Sequence, residues 1–81
     1  MSEFFVSLSS IEDVRQLVKA ATCCACDVDV LSGRYVVDAK SIMGLFSLDL
    51  SQPVQVTVHG SDADRAAFEA SVSAFEVKNG Q

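Results

Sequence analysis

The most informative stretch of the sequence is Asp38-Ala39-Lys40-Ser41-Ile42-Met43-Gly44-Leu45-Phe46-Ser47-Leu48-Asp49-Leu50. Ser41 is the expected N-cap of a short helix, because its hydroxyl can accept a hydrogen bond from a backbone N–H two or three residues later. A phosphate on this hydroxyl would meet unpaired amides and the positive end of the helix dipole. The helix would carry Ile42, Met43 and Phe46, more apolar side chains than one or two turns can bury. We therefore predict that part of this helix faces a protein partner.

Length and composition predict a single folded domain over residues 1–81. Hydrophobic residues make up 49% of the chain, and it contains one proline. This composition indicates a folded globule rather than a disordered segment. The net charge of −5 disfavours nucleic acid and anionic membranes as direct ligands, since both are bound mainly through Lys and Arg. The N-terminal residues show neither a signal peptide nor a membrane span, so the expected location is the cytoplasm.

The first third of the chain predicts a strand followed by a helix. Residues 3–8 alternate, with Phe4, Val6 and Leu8 on one face. Residues 11–24 have a helical period of apolar side chains, at Ile11, Val14, Leu17, Val18 and Ala21. Acidic residues in the first turn suit the helix dipole, and Ser9 and Ser10 offer a cap.

The remaining segments complete the predicted order. Val28 and Val30 alternate with polar residues, Ser32-Gly33 is typical of a turn, and residues 34–38 form the second strand of a hairpin. The clearest strand alternates valines with polar residues, at Val54, Val56 and Val58. A last helix has a buried stripe of Phe68, Val72 and Phe75 and ends near Asn79-Gly80.

The resulting order is β-α-β-β-α-β-α, with four strands and three helices, one of them short. Such an order predicts an α+β fold in which a four-stranded antiparallel sheet is covered on one face by three helices. No internal repeat or linker divides the chain.

The run Ala39-Lys40-Ser41-Ile42-Met43-Gly44-Leu45 resembles the regulatory-serine segment of HPr, the phosphocarrier of the bacterial sugar phosphotransferase system (PTS), and of its paralogue that lacks the active histidine. The resemblance implies the open-faced β-sandwich of that family. It also implies that Ser41 is phosphorylated by an ATP-dependent HPr kinase. Lys40, Ile42, Met43 and Phe46 then match the partner-binding surface, whose partners would be a transcription regulator of carbon catabolite repression or a metabolic enzyme.

The residues that perform phosphotransfer in HPr are missing. In that family the phosphorylated histidine caps the first helix within the motif Gly-X-His-Ala-Arg-Pro, and here Ser10, Ile11, Glu12 and Asp13 occupy the last four positions. A serine would form a stable phosphate ester rather than a phosphoramidate that passes the group on. Glu12 would repel an incoming phosphoryl group, which the arginine would stabilise. The only histidine, His59, ends the fourth strand, and we interpret it as an outward-facing residue without function.

The sequence therefore predicts a non-catalytic regulatory or interaction protein that needs no cofactor. One alternative is a PTS phosphocarrier that uses another acceptor. For Ser41, the purely structural interpretation is that serine caps helices, and for Leu45 and Phe46 it is that both seat the short helix on the sheet.

The cluster Cys23, Cys24 and Cys26 suggests a third class of function. Cys23 and Cys26 have the CxxC spacing of redox and metal sites. Their position at the C-terminal end of a helix disfavours a thiolate, and no second pair or histidine accompanies them to complete a zinc site. The competing interpretation, which we favour, is that the cysteines pack as small apolar residues.

Overall fold

The computed structural model describes residues 3–77. Its strands are β1 Glu3–Val6, β2 Asp27–Ser32, β3 Tyr35–Asp38, β4 Val54–His59 and β5 Glu76–Val77. Its helices are α1 Ile11–Cys23, α2 Ile42–Phe46 and α3 Asp62–Ser71, followed by a 3-10 turn at Ser73–Phe75. The predicted order is confirmed through α3, and the structure adds the turn and β5 after it.

All five strands belong to one antiparallel sheet in the order β3-β2-β4-β1-β5. Strand β4 lies in the middle, where Val56 pairs with Phe4 of β1 on one side and with Val30 of β2 on the other. The hairpin between β2 and β3 turns at Gly33, whose φ of 60° is a conformation that glycine adopts without strain. Val6 at the end of β1 pairs with Val54, whereas Asp38 at the end of β3 pairs with Asp29, which lies opposite Thr57. The chain therefore leaves the sheet toward α1 and toward α2 at opposite ends.

One face of the sheet forms the core against the helices. The buried sheet residues alternate along the strands, at Phe4, Val6, Val28, Val30, Val54, Val56 and Val58. Each helix adds apolar side chains to this cluster, namely Val14, Leu17 and Ala21 from α1, Leu45 from α2 and Phe68 from α3. The other face is open, and Phe5 on it is 44% exposed. The fold is thus the expected α+β open-faced sandwich.

The predicted four-stranded sheet gains a fifth strand because the last helix ends early. α3 stops at Ser71, and Val72 leaves helical geometry at φ −116° and ψ 20° while its side chain stays buried. The carbonyl of Phe75 then accepts a hydrogen bond from Ser7 N–H at 2.8 Å, and Val77 pairs with Phe5. Residues 79–80, where the sequence predicts the helix end, lie outside the described residues.

Candidate functional site

Ser41 is the N-cap of α2. Its Oγ accepts a hydrogen bond from Gly44 N–H at 3.2 Å, and its carbonyl accepts one from Leu45 N–H at 3.1 Å. The side chain is exposed. Because the first N–H groups of a helix have no intrahelical acceptor, the amides of Ile42 and Met43 point toward the same end. Ser41 therefore combines an exposed hydroxyl with nearby backbone donors.

The two sides of α2 differ sharply in exposure. Leu45 is 0% exposed and belongs to the core, whereas Met43 is 77% and Phe46 44% exposed. Ile42 is half-buried, and Lys40, which precedes the cap, is exposed. Leu45 therefore seats the helix on the sheet, and the purely structural interpretation does not account for the exposure of Met43 and Phe46.

Gly44 brings α2 close to β3. A Cβ at this position would lie 3.2 Å from Ser41 Oγ and 3.3 Å from the Cβ of Val37. Both distances are shorter than ordinary van der Waals contacts. The missing side chain therefore makes room both for the serine cap and for the packing of α2 against the edge of the sheet.

A groove of about 570 Å³ separates α2 from the start of α1. Phe46 and Leu50 lie on one side, and Ser10 and Ile11 lie on the other. Ile11 begins the predicted apolar period of α1, but its side chain is 65% exposed, because the first residue of the helix precedes the turn that reaches the core. The structure thus brings Ser10 near the exposed apolar side of α2, while Glu12 faces away from this groove.

Two carboxylates, those of Glu12 and Asp13, lie in the first turn of α1. Ser10 caps the helix by accepting a hydrogen bond from Asp13 N–H at 3.1 Å. The carboxylate of Asp13 accepts hydrogen bonds from the N–H and hydroxyl of Ser9, at 3.0 and 2.9 Å. These bonds, the backbone one first, hold the pKa of Asp13 below its usual value. Glu12 adds a second carboxylate, which accepts a hydrogen bond from Gln16 at 3.1 Å.

All three helices begin with a capping serine, but their first turns differ in charge. Those of α1 and α3 each contain two acidic residues, whereas that of α2 contains none. The acidic residues that flank α2 in sequence are engaged locally. Asp38 Oδ1 accepts a hydrogen bond from Lys40 N–H at 2.9 Å, and hydrogen bonds from Ser51 lower the pKa of Asp49. The start of α2 is therefore the least acidic of the three.

His59 lies far from the position where the family carries its histidine. Val6 pairs with Val54 and Glu3 with Thr57, so the start of α1 and the end of β4 are at opposite ends of the sheet. His59 Nε2 lies 2.8 Å from an oxygen of Asp29 on β2. The sequence does not reveal this contact, since only the pairing of β2 with β4 brings together residues so distant in the chain.

The cysteines in contact are not the CxxC pair. The Sγ atoms of Cys24 and Cys26 are 3.0 Å apart, whereas Cys23 is exposed. Among residues 3–77, no group of three or more His, Cys, Asp or Glu side chains is arranged to hold a metal ion. The helices of that same range are all too short or too polar to cross a membrane.

Comparison with known proteins agrees with this fold. A family model described as the PTS HPr component phosphorylation site matches residues 13–76. The crystal structure of HPr-C-His from Thermoanaerobacter tengcongensis has a TM-score of 0.73 and 24% identity, over 91% of this chain and 93% of that one. For the phosphocarrier protein HPr from Bacillus anthracis the TM-score is 0.67 and the identity 27%, over 90% of this chain and 94% of that one. A search of curated proteins gave no significant match.

The family match begins at residue 13, just after Ser10 and Glu12, and extends almost to the end of the described chain. It includes the whole of α2 with its capping Ser41. The chain therefore belongs to the HPr family of the phosphotransferase system.

Proposed function

We propose that this protein is a cytoplasmic, non-catalytic regulatory member of the HPr family, controlled by phosphorylation of Ser41. In this role an ATP-dependent HPr kinase modifies the serine, and the modified protein binds a regulator of carbon catabolite repression or a metabolic enzyme. Ser10 and Glu12 then occupy the degenerate phosphohistidine position.

The observation that carries the proposal is the charge contrast between two serine-capped helix starts, that of α1 at Ser10 and that of α2 at Ser41. Two carboxylates follow Ser10, and the Ser9 donors that could have bound a phosphate are bonded to Asp13. No carboxylate follows Ser41 in the first turn of α2. An added phosphate therefore meets more negative charge in the first turn of its helix at Ser10 than at Ser41.

The exposed apolar side chains near Ser41 are consistent with a binding surface for a protein partner. Met43 and Phe46 are 77% and 44% exposed, and Ile11 across the groove is 65% exposed. Burial of such side chains supplies most of the affinity of a small interface, while Lys40 and a phosphate on Ser41 would supply charge-specific contacts. The proposed docking surface therefore consists of Lys40, Ile42, Met43 and Phe46.

Incubation with ATP and an HPr kinase tests the modification directly. We expect one phosphate per chain by intact-mass spectrometry, and none on the Ser41→Ala variant. Ser10→Ala is the matched control, because it removes the same kind of exposed capping hydroxyl, and it should be phosphorylated like the wild type. Equal labelling of Ser41→Ala and wild type would exclude the site.

The alternative function, phosphotransfer through another acceptor, makes the opposite prediction. Incubation with phosphoenolpyruvate and the first enzyme of the PTS should leave the protein unlabelled on our proposal. An acid-labile phosphate would instead support a carrier role, and its loss in His59→Ala would identify the acceptor. His59 forms a hydrogen bond with Asp29 at the end of the sheet away from Ser10, and this position argues against that outcome.

A further inference from the structure

Cys24 and Cys26 form a thiol pair that the proposed function does not use. Cys24 is the C-cap of α1, and Cys26 immediately precedes β2, with one alanine between them. Their Sγ atoms are 3.0 Å apart, and both side chains are half-buried. Cys23 is exposed on the last turn of the helix. The fold therefore selects the C-x-C pair over the C-x-x-C pair.

The surroundings of Cys26 hold its sulfur beside that of Cys24. A Cβ on Gly60 would lie 2.8 Å from Cys26 Sγ and 2.8 Å from Asp64 Oδ2, so the sulfur occupies space that a larger residue would fill. Asp64 is fixed in turn by a hydrogen bond from Ser61 N–H at 3.2 Å. The sulfur of Cys26 is thus confined between Cys24 and the start of α3.

Access to the two sulfurs is unequal. A groove of about 300 Å³ lies between the end of α1 and α3, with Cys23 and Cys24 on one side and Phe68 on the other. Cys26 does not line this groove. A small reagent that enters it therefore meets Cys24 first, with the thiol of Cys26 directly behind.

We propose that Cys24 and Cys26 are a redox-modification site that forms a reversible disulfide when hydrogen peroxide oxidises Cys24. The sulfur of Cys24 attacks one peroxide oxygen, the O–O bond breaks, and the leaving hydroxide takes up the proton of the Cys24 thiol to become water. The sulfur of Cys26 then attacks Cys24 Sγ. The S–S bond forms, the S–O bond breaks, and hydroxide leaves as water with the proton of Cys26. Two thiols are oxidised and one peroxide is reduced to two waters.

The protonation of Cys26 agrees with this order of events. Its hydrogen bond with Cys24, followed by burial and the nearby charge of Asp64, raises the pKa of Cys26 to about 11. Cys26 therefore keeps its proton at neutral pH and reacts poorly with peroxide itself. It acts as the resolving thiol, whose attack depends on its proximity to an already oxidised Cys24.

Thiol counting after peroxide treatment tests the proposal. The three cysteines lie on one tryptic peptide, residues 20–34, so the pairing is assigned with variants rather than by peptide mapping. We expect the wild type to lose the mass of two hydrogen atoms, to keep one alkylatable thiol, and to regain all three with a dithiol reductant. Cys23→Ser should lose the same mass and keep none.

The cysteine variants at the pair should behave differently. Cys26→Ser should stop at a sulfenic acid that a dimedone-type probe captures, and Cys24→Ser should form no intramolecular disulfide. Cys24→Ala and Cys26→Ala repeat the test without a new hydroxyl in a half-buried position. Gly60→Ala should slow disulfide formation several-fold, because the added Cβ displaces Cys26 Sγ. The dimedone-type probe should still capture the sulfenic acid of Cys24 in this variant. A disulfide that needs Cys23, or unchanged thiols in the wild type, would overturn the proposal.

Discussion

The starts of α1 and α2 are similar in sequence but differ in charge, since the first turn of α1 is acidic and that of α2 is not. Each begins with Ser-Ile, and each serine accepts a capping hydrogen bond of nearly equal length, 3.1 Å for Ser10 and 3.2 Å for Ser41. Glu12 and Asp13 follow in α1, whereas Met43 and Gly44 follow in α2. Both helices therefore begin with the same kind of capping hydrogen bond. The next two residues determine whether the helix start already holds negative charge or can receive it.

The largest expected effect is a loss of stability when the contact that holds α2 on the sheet is removed. Replacing the buried Leu45 by alanine should lower the free energy of unfolding by about 2–5 kcal/mol, because it leaves a cavity between α2 and the sheet. Met43→Ala on the exposed side should change it by less than about 0.5 kcal/mol. Urea unfolding of both variants near neutral pH gives these values. Equal losses would show that α2 packs differently from the structure described.

Removing each serine cap compares the two starts directly. Ser10→Ala and Ser41→Ala should each lower the free energy of unfolding by about 0.5–2 kcal/mol, since each leaves a helix N–H without its acceptor. The Ser10 loss should be the larger, because α1 has 13 residues and α2 has five. Denaturant titration distinguishes the two, and a larger loss for Ser41→Ala would contradict this ranking.

Transplanting charge should convert one helix start into the other. Met43→Glu gives α2 the Ser-Ile-Glu start of α1. It should raise the free energy of unfolding by about 0.3–1 kcal/mol, because a carboxylate suits the helix dipole. It should also slow phosphorylation of Ser41 several-fold through repulsion of the incoming phosphate. Met43→Gln, of similar size and without charge, is the control for the kinase rate, and equal rates for both variants would remove the electrostatic argument.

The smallest effect concerns the pH dependence at Asp13. Its folded pKa lies below the usual value of 3.8, so its ionised form stabilises the fold above that pH, and this contribution disappears as the pH falls through the folded pKa. Asp13→Asn should therefore be less stable than the wild type near pH 7, and the difference should become smaller as the pH is lowered below 3.8. Urea unfolding under both conditions measures the difference, and a constant difference would contradict the proposed bonds from Ser9.

Sequence periodicity predicted the elements that make local or strongly patterned contacts. The valines of β4, the stripe of α1 and the cap of α2 follow from side-chain spacing and capping chemistry. β5 could not be predicted in this way. Its two residues carry no periodic signal, and their pairing with β1 depends on an early end of α3. The contact between Cys24 and Cys26 likewise depends on how the chain leaves α1. The groove that joins Phe46 to Ser10 depends on the packing of α1 against α2, which no local pattern encodes.

The sheet has unequal edges. β5 covers β1 with only two residues, whereas β3 presents four, among them Tyr35 and Val36 at 65% and 59% exposure. Strand addition to an open edge is a common route to self-association. Within residues 3–77, only β3 offers enough backbone groups for such pairing, and polymer growth requires two usable edges. Edge-to-edge addition of β3 from a second copy of this chain would therefore give a closed pair of molecules.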